Sequence, residues 1–381
     1  MRVMFYVQHL LGIGHIKRAA QLSLGMQQAG LEVWVVQGGE AVAGIDFGQA
    51  NVISLPAIRA ADAQFSGLVD EQGKALDDDF KANRRALLLQ ALEQIQPDAL
   101  LIESYPFGRG QLRFELDPLL QQAHSMSPRP LILSSARDIL QRRPVEKEQK
   151  ALKLLERYFD GVLVHGQQDF VPLTESFSLC DQLSIPLHYT GYVTDTSVTP
   201  AAEGQHEVIV SAGGGAVGLG IMQAALLARP LTVLREHRWR VLIGPNLPAD
   251  QIATLQLLAA DGVILEPIRS DFRGLLANAA LSISQGGYNT LMDILLTGVP
   301  SVIVPFEGKG ETEQITRTAK LEALGICAMV REQQLQPEHL ARVIDQTVAD
   351  LHRRSPELSL QLAGARRSGD IIRTLLEQRH G

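Results

Sequence analysis

The sequence predicts two doubly wound α/β domains in tandem, on three observations. Short β-branched runs alternate with segments of helical period along most of the chain. The alternation starts afresh after a polar, Gly/Thr/Pro-bearing stretch at Thr190–Gly204. Each half also opens alike, with a strand, a glycine loop and a helix. Such alternation builds parallel sheets covered on both faces. With 381 residues the chain is too long for one ordinary core and long enough for two. The domains are placed at 1–192 and 193–381, the last helix being free to pack back on the first domain.

Taken in order, Arg2–Val7 is an apolar run that ends at Gln8 and His9 and meets Gly12 and Gly14 at once. It reads as a first core strand rather than a signal peptide. Lys17–Ala29 follows as a helix and Glu32–Gln37 as a strand. Asp77, Asp78 and Asp79 supply the cap and first-turn acids of a helix over Asp79–Ile95. Ala99–Ile102, Leu131–Ser134 and Gly161–Val164 read as strands, with a helix at Glu146–Tyr158. The second series has strands at Glu207–Ser211, Arg240–Ile243, Gly262–Leu265, Leu281–Ser284 and Ser301–Val304, with helices between them. No apolar stretch reaches the length of a membrane span.

Composition excludes several classes. Hydrophobic residues make up 45% and charged residues 20%, the profile of a globular protein. A formal net charge of −7 argues against a nucleic-acid partner held by bulk electrostatics. The only cysteines, Cys180 and Cys327, lie far apart without a CxxC or Cys/His ligand spacing, so neither a zinc site nor a disulfide framework is expected. A reducing cytoplasm fits. The Asp-x-Asp at 77–79 could be read as a metal motif, but its place at a helix start favours capping, so metal independence is expected and no cofactor is implied.

Three loops in the second half carry chemistry. Ser211 leads into Gly213-Gly214-Gly215-Ala216-Val217-Gly218, where glycines let backbone approach a phosphate and the next helix offers its free N–H groups. Gly213, Gly215 and Gly218 satisfy GxGxxG. The next strand ends Leu242-Ile243-Gly244-Pro245-Asn246, without the carboxylate that a dinucleotide ribose needs, and no Lys-Ser/Thr pair follows. Hydride transfer and P-loop phosphoryl transfer are therefore excluded. A bare tight turn is the bland alternative, disfavoured by the chain entropy of three successive glycines. The second loop is Gln285-Gly286-Gly287-Tyr288-Asn289-Thr290, which should start a helix near Asn289–Thr290. Asp293, one turn in, can accept ribose hydroxyls or simply complement the helix dipole. The third is Glu313-Gln314, a donor and acceptor set suited to sugar hydroxyls that on its own is an ordinary helix surface.

In that order these loops resemble the C-terminal half of GT-B glycosyltransferases related to the peptidoglycan N-acetylglucosaminyltransferase that makes lipid II. GGYNT at 286–290 and EQxxR at 313–317 further resemble bacterial proteins described only as predicted glycosyltransferases. The resemblance spans most of the chain. It implies that Gly213, Gly214, Gly215 and the loop from Gln285 through Gly286, Gly287, Asn289 and Thr290 face a diphosphate. It also implies that backbone near Ile268 reads the base, with uridine favoured, that Asp293 holds the ribose, and that Glu313 and Gln314 hold the sugar. The relatives commonly carry Glu where this chain has Asp293.

In the first half, Gly12-Ile13-Gly14-His15 resembles the first glycine loop of those transferases, and equally the GxGH loop of nucleotide-sugar hydrolases of nonulosonate synthesis. At a helix N-terminus His15 favours its neutral form, which can act as general base, or it can simply cap or pack. Glu103, at a strand's carboxyl end, is a second candidate base and Asp138 a third. His165 closes another strand and is expected to line the same cleft. Arg109 and Arg113 could hold an anionic acceptor, or be solvated surface groups.

Together these features predict an inverting, metal-independent glycosyltransferase of GT-B architecture, with ligands bound in a cleft between the carboxyl ends of two sheets. The expected partners are a nucleotide-diphosphate sugar and an acceptor, anionic or lipid-linked; membrane-surface contact stays open. A nucleotide-sugar hydrolase, an epimerase and a non-catalytic nucleotide-sugar-binding protein are the alternatives.

Overall fold

The computed structural model describes residues 1–10, 14–62, 67–212, 218–308, 312–350 and 360–380. The chain divides into two units, one comprising Met1–Asp195 with Leu360–Gly381, the other Thr196–Ser359.

In the first unit the elements are β1 (Arg2–Val7), α1 (Gly14–Gln28), β2 (Glu32–Gln37), β3 (Asn51–Ser54), β4 (Ile58–Ala60), β5 (Leu68–Asp70), α2 (Asp78–Ile95), β6 (Ala99–Glu103), α3 (Arg113–Ser125), β7 (Leu131–Arg137), α4 (Val145–Tyr158), β8 (Gly161–His165) and β9 (Leu187–Tyr189). Seven strands form a parallel sheet in the order β3-β2-β1-β6-β7-β8-β9, while β4 and β5 pair separately and antiparallel. Strand alternation splits the core into two layers. Met4, Tyr6, Leu100 and Ile102 face Leu88, Leu92, Leu116 and Leu155 of α2, α3 and α4. Val3, Phe5, Leu101 and Leu133 face Ile16, Leu22 and Met26 of α1.

The second unit contains β10 (Val208–Ser211), α5 (Leu219–Ala228), β11 (Trp239–Ile243), α6 (Ala249–Leu258), β12 (Val263–Pro267), α7 (Phe272–Asn278), β13 (Leu281–Gln285), α8 (Tyr288–Thr297), β14 (Ser301–Val304), α9 (Glu313–Ala323), β15 (Ala328–Met329) and α10 (Pro337–Ala349). Its six strands are parallel in the order β12-β11-β10-β13-β14-β15. Val208, Val210, Val241, Ile283 and Val302 pack against Met222 and Ala225 of α5 and Leu340 and Ile344 of α10.

The last helix, α11 (Gly364–His380), belongs to the first unit. Its Ile372 and Leu376 join the layer built on α1. The crossing is close because it is made of glycines. A Cβ at Gly25 would run into the backbone of Ala365, and one at Gly369 into the carbonyl of Gly25.

Both sheets reverse their strand order at the first strand. β1 pairs with β2 on one side and β6 on the other, and β10 likewise lies between β11 and β13. In open α/β sheets, the carboxyl ends beside such a reversal are where ligands bind.

Candidate functional site

At the reversal in the first unit, α1 begins just after β1 and places His15 in its first turn. Glu103 is the last residue of the neighbouring strand β6. Their side chains meet, with His15 Nδ1 2.7 Å from Glu103 Oε1. Arg18, one turn further along α1, donates from Nη2 to the same oxygen at 2.5 Å, and Ser104 donates its hydroxyl at 2.7 Å. Burial works to raise the Glu103 carboxyl, but His15, Arg109 and Arg18 outweigh it and hold the group well below the usual carboxylate range. An ionised carboxylate only accepts, so the proton of His15 sits on Nδ1. Burial lowers the His15 pKa; Glu103 opposes this, and Arg109 and Arg18 reinforce it. The result is a neutral imidazole presenting a basic Nε2, with 29% of its side chain exposed.

The other candidates of this unit take different places. Arg109 lies in the same cluster, its side chain 9% exposed and its Nη2 3.5 Å from Glu103 Oε2. Arg113 turns away and pairs on the surface with Asp117 at 2.9 Å. His165 and Asp138 are fully buried, so neither lines an open surface as expected. His165 ends β8, yet its side chain points into a covered layer. Thr190 donates to the carbonyl of Gly191, so His165 donates from Nδ1 to Thr190 and accepts at Nε2 from Ser135. Burial first, and then Arg18, push its pKa down to about 3, against Glu103 and Asp138. Gly14 opens α1; Gly12 lies outside the described residues.

At the reversal in the second unit, Gly213, Gly214 and Gly215 lie outside the described residues, between β10 and α5. The other loop joins β13, ending at Gln285, to α8. Gly287 is the cap of α8, which starts at Tyr288, one residue before the expected position. A Cβ at Gly286 would press on Thr318 Oγ1 at 3.0 Å and Gln314 Oε1 at 3.4 Å, so glycine there lets α9 approach. Asn289 is exposed and Thr290 half-buried in the first turn. Asp293 accepts from Arg273 Nε of α7 at 2.7 Å. Gln314 Oε1 accepts the N–H of Phe306 at 3.0 Å, and Glu313 accepts from Arg317 at 3.0 Å. Ile268 is 40% exposed, while its N–H donates to the carbonyl of Ile243.

Three residues here went unrecognised in the sequence. Arg18 shares a helix face with His15 at a spacing of three, a signal that was available. Arg317 closes EQxxR: fully buried, it lies over the Tyr288 ring with its Cζ 5.3 Å from the centroid, and so ties that motif to GGYNT. Arg273 had no local signal.

Residues 208–367 match the glycosyltransferase family 28 C-terminal domain. The match covers most of the second unit and the start of α11. The chain is accordingly related to bacterial glycosyltransferases. The UDP-N-acetylglucosamine–N-acetylmuramyl-(pentapeptide) pyrophosphoryl-undecaprenol N-acetylglucosamine transferase of Agrobacterium fabrum is 26% identical over 184 residues, 47% of this chain and 48% of that protein. The enzyme of the same name from Thermotoga neapolitana is 36% identical over 70 residues, 18% of this chain and 21% of that protein. The matched stretches thus span less than half the length of these relatives. Among solved structures, MurG of Acinetobacter baumannii aligns with a TM-score of 0.64 at 14% identity, covering 98% of this chain and 100% of that one. The spinosyn rhamnosyltransferase SpnG complexed with thymidine diphosphate aligns at 0.58 and 18% identity, covering both chains completely. The fold is GT-B, with two Rossmann-like parallel-sheet domains. Among the described residues, no helix is long and apolar enough to cross a membrane.

Proposed function

We propose that this chain is a glycosyltransferase that moves a sugar from a UDP-linked donor to an acceptor hydroxyl, with inversion and without a metal ion. The observation that carries the reading is the 2.7 Å contact of His15 Nδ1 with Glu103, which leaves Nε2 as the base. The acceptor hydroxyl gives its proton to Nε2 while its oxygen bonds to the anomeric carbon. The bond from that carbon to the diphosphate oxygen breaks, and its electron pair leaves with the diphosphate. Negative charge developing there is met by N–H groups at the starts of α5 and α8. Attack opposite the leaving group inverts the centre.

On the donor side, Asp293 accepts from the ribose, held in orientation by Arg273. Glu313, oriented by Arg317, accepts from the sugar, and Gln314 donates to it from Nε2 because its Oε1 is engaged by Phe306. The reading needs no metal: Asp77 caps α2 by accepting from Phe80 N–H at 2.9 Å, and Asp78 and Asp79 stand in the first turn of that helix.

Donor turnover with and without candidate acceptors tests the proposal. Slow hydrolysis alone, strong stimulation by an acceptor hydroxyl, an inverted anomeric product and activity surviving excess EDTA are expected. Fast acceptor-free hydrolysis abolished by His15→Ala would make the chain a nucleotide-sugar hydrolase. Loss with EDTA and rescue by Mg²⁺ or Mn²⁺ would refute metal independence.

A further inference from the structure

Arg109 is held in a costly way. Its backbone has φ +60°, as does that of Ser104 at the other end of the same short loop, a conformation that non-glycine residues rarely adopt. The side chain delivered there is nine-tenths buried, yet neither Nε nor Nη2 has a hydrogen-bond partner. These two nitrogens form the flat edge with which arginine grips a carboxylate or phosphate through parallel bonds. Three other arginines show that edge engaged: Arg269 grips Asp271, Arg331 grips Glu307 and Arg240 grips Glu207. Glu103 does not serve Arg109 in this way. Its Oε1 already takes His15, Arg18 and Ser104, and its Oε2 lies 3.5 Å off without a hydrogen bond of its own.

Two neighbours sharpen the point. Arg143, half-buried and without an ion pair among the described residues, is pushed below the usual guanidinium range by burial and then by the like charge of Arg109. His9, whose buried Nδ1 also lacks a partner, is lowered by burial and by the same arginine. A buried guanidinium whose donors are unmade costs stability unless an anion completes it.

We propose that Arg109, supported by Arg143, forms an oxyanion subsite beside the His15–Glu103 pair, gripping a phosphate or carboxylate carried by the acceptor itself. This deepens the transferase reading and rests on it for the word acceptor. The acceptor is then a hydroxyl compound with its anionic group close to the reacting oxygen. Arg113, exposed and paired with Asp117, takes no part.

Thermal unfolding of the full chain in rising methyl phosphate, acetate or methanol, with and without excess UDP, tests the inference. UDP fills the diphosphate loops, so the response remaining in its presence belongs to the new subsite. One of the two anions should stabilise the protein and methanol should not; the anion that acts identifies the group. Arg109→Met should raise the half-saturating concentration at least tenfold, Arg109→Lys by less, and Arg113→Met not at all. Arg143→Met should raise it severalfold, and serves with Arg109→Lys if Arg109→Met does not fold. An anion response that is absent, unchanged in Arg109→Lys and Arg143→Met, or equally weakened in Arg113→Met would overturn the subsite. Failure of the wild type to bind UDP would instead overturn the donor assignment, while the anion titration still decides Arg109.

Discussion

His15 can accept a proton only at Nε2, because the carboxylate of Glu103 occupies Nδ1. Two consequences can be measured. His15→Ala and Glu103→Gln should lower turnover by roughly two to four orders of magnitude, the usual reach of general-base catalysis, with donor affinity nearly intact. The pH dependence has a definite sign. Burial lowers the His15 pKa, so with His15 as the proposed base the acid limb of kcat/KM should lie below the ordinary histidine value. Glu103 raises that pKa, so Glu103→Gln should move the acid limb to still lower pH. A limb at or above the free histidine value, or one unmoved by Glu103→Gln, would show that another group supplies the base. His15 and Glu103 were each legible in the sequence, His15 at the helix start after the first glycine loop and Glu103 at a strand's carboxyl end. Their pairing was not legible. They are 88 residues apart and meet only because β1 and β6 are neighbours in the sheet.

At the scale of elements, the proposed donor site centres on the start of α8. Asp293 stands one turn inside the helix and takes Arg273 of α7 on one oxygen, with both side chains mostly buried. Asp293→Ala should weaken UDP binding by about one to a few kcal/mol, the scale of a hydrogen bond to a charged group. Arg273→Met should weaken it by less, because the carboxylate remains but loses its orientation. Titration of both variants with UDP and with 2′-deoxy-UDP checks the role. If Asp293→Ala loses the same affinity for each, the carboxylate does not read the 2′-hydroxyl. The glycine loop and the helix after it were readable because adjacent glycines followed by a helical period mark such a junction. The short strands β3, β4, β5 and β9 span three or four residues each, too few for alternation to show. In α3, Pro118 inside the helix breaks the pattern that would have revealed it.

At the scale of the whole molecule, the two units have separate cores, and the chain's end is spent on the first of them. The sequence leaves the last helix free to pack back on the first domain, and the close crossing at Gly25 and Gly369 is what holds it there. A nucleotide and a methyl group should therefore act on different parts of the unfolding curve. UDP at about one hundred times its dissociation constant should stabilise the unit that binds it by about 2.7 kcal/mol. Gly25→Ala adds a Cβ against the backbone of Ala365, which cannot swing aside as a side-chain tip would, and should destabilise its own unit by about 1–3 kcal/mol. Scanning calorimetry of the full chain resolves the two effects if each unit melts with its own core. UDP should move the transition of residues 196–359 and leave the one sensitive to Gly25→Ala in place. If UDP moves the Gly25-sensitive transition alone, the nucleotide belongs to the first unit. Asp293 and the two glycine loops of the second would then have to be read as structure rather than as a donor site.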